Sequence, residues 1–205
     1  MKNESLHKKE LLTSMAPDFW DNRYLNNETG WDMNQASPPL KAYIDGLENK
    51  DLKILIPGCG NAYEAQYLLD QGFKNVTLID FSRIVTNRLK EKYKDKPITI
   101  VNENFFSDKG KYDLILEQTF FCALDPSLRE KYVEKCFELL NDNGKIAGVF
   151  FNKPFAPVEP PFIATNEEYR KLFEPKFIFL KFLNCNNSIA PRMGFELFFE
   201  FLKKY

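Results

Sequence analysis

Short runs rich in β-branched and aromatic residues alternate along this chain with stretches whose apolar positions recur at helical spacing. That alternation predicts an α/β architecture, a mostly parallel sheet with helices on both faces. Strands are expected at residues 52–56, 75–80, 98–101, 112–117 and 145–151, and two aromatic-rich strands at 176–183 and 195–202 complete a sheet of about seven. The last two are expected to pair as an antiparallel hairpin. Helices are expected over 62–71, ended by Gly72, and from an N-cap at Ser82 to Lys94, with Lys90, Lys92 and Lys94 at the negative end of the dipole. A third follows Pro126 and runs to Leu140, where Asn141-Asp142-Asn143-Gly144 signals a turn, and a fourth covers 166–173. Prolines exclude helix and central strand from 154–161, which therefore reads as a loop.

The amino-terminal fifth has a different character. Residues 1–15 read as an exposed helix or frayed arm, and 17–50 hold both tryptophans, Trp20 and Trp31, with little periodicity. The chain thus divides into an arm and lid over 1–50 and a main body over 51–205, a single domain overall. Apolar residues at 44% and charged ones at 28% suit a chain that folds alone. A formal net charge of -1 leaves no excess of positive charge to attract nucleic acid or an anionic membrane. The start, MKNESLHKKELL, lacks the apolar core of a secretory signal, and no apolar run approaches membrane-spanning length. The expectation is a cytoplasmic protein, monomer or weak homodimer, acting on a small molecule. Cys59, Cys122, Cys136 and Cys185 form no close pair and His7 is the one histidine, which argues against a zinc site and a disulfide framework.

The chemistry concentrates where strands end. The first strand runs into Gly58-Cys59-Gly60 and then a helix, so the backbone can turn tightly and admit a ligand close to the main chain. The next strand ends in Asp80, about 20 residues on, where a carboxylate can accept bonds from ribose hydroxyls. NAD would fit that acid, but the third glycine of a dinucleotide fingerprint is replaced by Tyr63, whose bulk disfavours a pyrophosphate. A phosphate-free adenosyl ligand such as S-adenosylmethionine fits better. Asn104 and Phe105 follow the third strand, suited to an adenine edge and face, and Gln118, Phe120 and Phe121 follow the fourth. Trp20 and Trp31 could cover a ligand and attract a cationic sulfonium through their π faces. Arg192 could lower the pKa of an acceptor thiol or serve in a surface ion pair. The string Glu159-Pro160-Pro161-Phe162 echoes the [DNS]PP[YF] signature of amino methyltransferases but follows the fifth strand instead of the fourth, and reads as a stiffened loop.

Taken together, FWDNRY and TGWD (19–24, 29–32), LIPGCGNAYEA (55–65), IDFS (79–82), YDLILEQTFFCALDPSLR (112–129), GKIAGVFF and NSIAPRMG (187–194) resemble the thiopurine S-methyltransferase superfamily, with plant-type halide and thiol methyltransferases and their bacterial relatives nearest. The resemblance covers residue 17 to the carboxyl terminus. It implies a Rossmann-like class I methyltransferase fold and S-adenosylmethionine as cofactor. It also implies cofactor contacts from Trp20, Trp31, Gly58, Gly60, Asp80, Asn104, Phe105 and Gln118. Gln118 stands where plant relatives carry tyrosine, and Asn104 where an aspartate is usual, so the first departure bears on the acceptor. Gln118, Phe121 and Arg192 are the acceptor-side candidates, with Phe120 and the proline loop around Phe155 and Phe162 completing an aromatic edge. The expected activity is in-line methylation of a small thiol or soft anion such as sulfide, thiocyanate, a halide or a thiopurine-like heterocycle. An N- or O-methyltransferase of a small metabolite and a non-catalytic adenosyl-binding module are the alternatives.

Overall fold

The computed structural model describes residues 17–153 and 160–205. The arm at 1–15 and the loop positions Phe155 and Glu159 lie outside the described residues. Seven strands form one sheet in the order β3-β2-β1-β4-β5-β7-β6. They are β1 (Ile54–Pro57), β2 (Val76–Asp80), β3 (Ile98–Asn102), β4 (Tyr112–Gln118), β5 (Leu140–Phe151), β6 (Phe177–Asn184) and β7 (Glu196–Lys203). The first five run parallel, while β7 is antiparallel to both β5 and β6. The expected late hairpin is therefore present, and it places β7 inside the sheet with β6 at the edge.

Alternation along each strand sends side chains to opposite faces. Ile54, Ile56, Leu78, Leu114 and Leu116 enter one core with Leu40, Ile44 and Leu68, whereas Leu55, Ile79 and Ile115 enter the other with Tyr132, Phe173, Phe199 and Phe201. The second core is built of stacked rings, with Phe150 lying between Tyr169 at 4.3 Å and Phe199 at 3.9 Å.

Helices α1 (Pro17–Leu25) and α2 (Pro38–Asp45) precede the sheet, and α3 (Tyr63–Asp70), α4 (Arg83–Lys92), α5 (Arg129–Leu139) and α6 (Asn166–Phe173) cover it. Ser82 caps α4 by accepting from the Val85 amide at 3.1 Å. Thr165 and Glu168 form a reciprocal capping box that starts α6 where the sequence placed it. Two expectations change. Each of α1 and α2 is only about two turns long, too short for periodicity to emerge from the sequence. The Asn-Asp-Asn-Gly turn does not separate α5 from β5. It bulges within the strand, between the pairings Tyr112 with Leu140 and Leu114 with Lys145, with Asn143 at φ +60°.

Candidate active site

β1 delivers the chain to Gly58 and Gly60, both left-handed at φ +54° and +50°. A side chain is excluded there by space as well as by conformation. A Cβ on Gly58 would stand 2.2 Å from the Phe120 ring, and one on Gly60 would stand 2.8 Å from the Tyr24 hydroxyl. The turn thus lets an aromatic ring from the β4 edge and a tyrosine from α1 approach bare backbone.

Asp80 closes β2 beside that turn. Its Oδ2 accepts from the Gly60 amide at 3.1 Å and its Oδ1 from the Ser82 amide at 2.9 Å, so the carboxylate is fixed in orientation with lone pairs to spare. Burial raises its pKa to about 6; those amides oppose the shift, and Asp21 adds to it. Asn102 extends the arrangement by donating to the Asp80 and Phe81 carbonyls at 3.1 and 3.0 Å.

The end of β4 is held by a buried acid. Glu117 Oε1 accepts from the Phe120 and Phe121 amides at 2.7 and 3.1 Å, pinning the turn that follows, while Oε2 has no partner among the described residues. Burial raises this carboxyl to about 7. A folded-state pKa above the unfolded one contributes stability that is present below the unfolded value and lost as pH rises through the folded one. The ligand-free protein should therefore lose on the order of 3 kcal/mol between pH ~4.5 and ~7 from this group, at about 1.4 kcal/mol per unit. Denaturant melts of Glu117→Gln across that range should show a flatter profile; parallel curves for variant and wild type would refute the assignment.

Beyond Glu117 the chain splits its aromatic pair. Thr119, at φ +59°, redirects the backbone so that Phe120 faces a cavity while Phe121 turns into the core against Tyr132, Phe150 and Tyr169. Cys122 lies in the cavity wall, its thiol donating to the Thr119 carbonyl at 3.3 Å and held protonated by burial and then by the nearby Glu117 charge.

The cavity encloses about 520 Å³, within the range of cofactor and small-ligand sites. Of the residues singled out in the sequence, Trp20, Trp31, Gly58, Gly60, Asp80, Phe105, Gln118, Phe120 and Arg192 all border it. Both amide atoms of Gln118 are buried there without a partner among the described residues. Two site candidates do not border it. Phe121 is inaccessible in the aromatic core, and Asn104 is exposed and caps a short turn by accepting from the Phe106 amide at 2.9 Å. Glu103 borders the cavity next to it. Phe162 is also off the wall, bonded through its amide to the Cys122 carbonyl, but Pro160 and Pro161 border the cavity, so the proline string reaches the site through its prolines.

The N-terminal segment supplies one wall. Trp20 and Trp31 meet edge to face at 5.2 Å, and Tyr24 packs on Trp31 at 5.7 Å. Asp21 accepts from the Ser82 hydroxyl, and Asp32 from the side chains of Asn61 and Tyr63. Glu64, buried on α3, accepts from the Ser37 amide at 2.9 Å and has its pKa raised by burial. Asp32, Asn61 and Glu64 fall inside the strings TGWD and LIPGCGNAYEA, but neither residue type nor spacing gives them a role there, and it is the fold that brings all three to the cavity.

A glycine turn, an acid at the end of β2 and a cavity over the carboxyl edge of β1 and β4 define a site of known type. The sequence profile of the family described as Thiopurine S-methyltransferase matches residues 15–196. The chain belongs to that family. Membership makes it an S-adenosylmethionine-dependent methyltransferase. It is 24% identical to the probable thiol methyltransferase 2 of Arabidopsis thaliana over 193 residues, covering 91% of this chain and 85% of that protein. It is 25% identical to thiocyanate methyltransferase 1 of Brassica oleracea over 195 residues, covering 92% and 86%. Among solved structures, the 1,6-didemethyltoxoflavin-N1-methyltransferase of Burkholderia thailandensis superposes with a TM-score of 0.76 at 16% identity, over 95% of this chain and 89% of that one, a likeness of fold. Among the described residues of this family member, no helix is long and apolar enough to cross a membrane.

Proposed function

We propose that this methyltransferase acts on a small thiol or soft anion, with residues 17–50 serving as a lid over the cofactor. The observation that carries the reading is the part of the cavity lining contributed beyond β4 and β5. Phe120, Cys122, Ala123, Phe151, Pro160 and Pro161 supply no carboxylate there, whereas the carboxylates that border the cavity, Asp32, Glu64, Asp80 and Glu103, come from the N-terminal segment, the glycine turn with α3, and the ends of β2 and β3. Such a surface favours a polarizable, weakly hydrated nucleophile over an alcohol or ammonium, whose desolvation costs more. The names of the thiol and thiocyanate relatives support the same reading.

The residues present fit the cofactor, since the buried Gln118 amide offers a donor and an acceptor and the Asp80 carboxylate keeps lone pairs to spare on the wall of a cavity of about 520 Å³. When bound, S-adenosylmethionine supplies an electrophilic methyl group on a cationic sulfonium. Asp80 would hold the ribose hydroxyls, Phe105 and the neighbouring Glu103 the adenine, and Gln118 the methionine end. Trp20 and Trp31 would exclude water and turn their π faces to positive charge. No side chain need act as an obligatory acid or base if the acceptor arrives as an anion, so alignment is the protein's main contribution.

A screen of the purified enzyme against thiols, iodide, phenols and amines, read as S-adenosylhomocysteine release, tests this. Thiols or soft anions should exceed phenols and amines by at least about tenfold in kcat/KM, or ~1.4 kcal/mol in transition-state binding. Rates with thiols should climb with pH until the thiolate fraction saturates, whereas iodide, with no proton to lose, should show no such limb. Good turnover of amines with none of thiols or iodide would overturn the acceptor reading and leave the family intact.

A further inference from the structure

The loop between α1 and α2 carries Trp31, yet most of its side chains from residue 26 to 35 are exposed or only half-buried. It has little core of its own to hold it in place. Two fastenings do so instead, on opposite sides of the same dipeptide. Toward the glycine turn, the Asp32 carboxylate is gripped by Asn61 and Tyr63. Toward the C-terminal hairpin, Arg192 Nη2 donates to the Trp31 carbonyl at 2.6 Å, a contact spanning 161 residues of sequence.

The second fastening is itself anchored. Arg192 Nη1 lies 3.3 Å from Glu196 Oε1, and both side chains are buried, at 9% and 1% exposure. The guanidinium carbon stands 5.2 Å from the centre of the Phe151 ring. A planar guanidinium can donate in two directions at once, to a carbonyl on the lid and a carboxylate on β7, as a lysine ammonium cannot with the same geometry. Glu196 neutralises much of the charge that an acceptor anion would otherwise feel, and the guanidinium's other assigned bond is the short, charge-assisted one to the lid carbonyl.

We propose that Arg192 is a positioning residue for methyl transfer, holding the Trp31 stretch of the lid closed against the C-terminal hairpin. The proposal rests on the reading of the cavity as the cofactor site. Because Arg192 also borders the cavity, it joins the acceptor wall to the indole that covers the cofactor, and displacement of one moves the other.

The test uses the full chain with Trp20→Phe, which leaves Trp31 as the sole tryptophan. Into it are placed Arg192→Met and, so that no buried carboxylate is left uncompensated, Arg192→Met with Glu196→Gln. In both, Trp31 emission should shift to the red, and S-adenosylhomocysteine should dissociate at least about tenfold faster in stopped flow. The acceptor KM at saturating cofactor should change much less than kcat, and Arg192→Lys should restore only part of the loss. Parent-like emission and S-adenosylhomocysteine release, with a changed acceptor KM or thiol pH limb, would overturn the proposal and place Arg192 on the acceptor instead. Failure of the wild-type protein to bind S-adenosylhomocysteine at all would overturn the cofactor-site reading and the proposal with it.

Discussion

Gly58→Ala is expected to cost the protein its cofactor and part of its fold. The new methyl would lie 2.2 Å from the Phe120 ring, and the residue would be held at φ +54°. The left-handed backbone costs a non-glycine residue about 1–2 kcal/mol, and forcing the ring aside adds roughly 1–3 more. In a chain of this length that corresponds to a Tm lower by roughly 5–15 °C. Affinity for S-adenosylhomocysteine should fall at least about a hundredfold, because the Phe120 ring, which borders the cavity, must swing out of the methyl's way and the turn it packs on must shift. Calorimetry and thermal melts check both effects. Phe120→Ala added to the variant should relieve the clash and make the pair less damaging than the sum of its parts. Strict additivity would show that ring and turn do not meet.

Asp80→Asn should weaken cofactor binding by roughly 1.5–3 kcal/mol, the range for losing charge-assisted hydrogen bonds. An asparagine has one carbonyl oxygen, so it cannot accept from Gly60 and Ser82 together and still serve a ribose. The pH dependence gives the sharper signature. With the carboxyl raised to about 6, wild-type affinity should improve as pH rises through that value and then level off, because ribose hydroxyls donate best to the ionised form. Stability of the ligand-free protein should move in the opposite direction. The raised pKa favours the fold while the carboxyl is protonated, and that contribution disappears between pH ~4 and ~6. The variant should show neither trend from this group. A wild-type affinity indifferent to pH between 5 and 7.5 would exclude Asp80 from the binding site.

Much of this architecture can be read from the chain because its local signals agree with its global ones. Runs such as NVTLID and YDLILE are at once β-formers and buried on both faces, and Ser82 and Thr165 announce the helices they cap. The glycine turn and Asp80 were legible for the same reason, since each is required by backbone geometry at a strand end. What escaped was settled by irregular backbone or by distance. Periodicity has no bearing on which of two adjacent phenylalanines faces the cavity when Thr119 adopts a positive φ just before them. Asn104 suits an adenine edge by residue type, and its residue type suits a turn equally: its Oδ1 accepts from the Phe106 amide, a local bond that the sequence does not distinguish from a ligand contact. The contact between Arg192 and Trp31 unites the two ends of the chain and has no local trace in either.

The cavity wall contains a sulfur atom of its own, and under the proposed thiol or soft-anion reading this bears on the durability of the catalyst. A thiolate at Cys122, beside an alkylating sulfonium, would compete with any external nucleophile and end the protein's working life by self-methylation. The surroundings prevent this without removing the residue. Burial and the Glu117 charge keep the sulfur protonated, and its hydrogen is committed to the Thr119 carbonyl. Cys59, which also borders the cavity, is likewise buried and held well above the usual thiol range. If the acceptor is a thiol, as proposed above, discrimination between foreign and resident sulfur would rest on solvation: a thiol that arrives already ionised reacts, and the enzyme's own buried, protonated thiols remain inert bystanders.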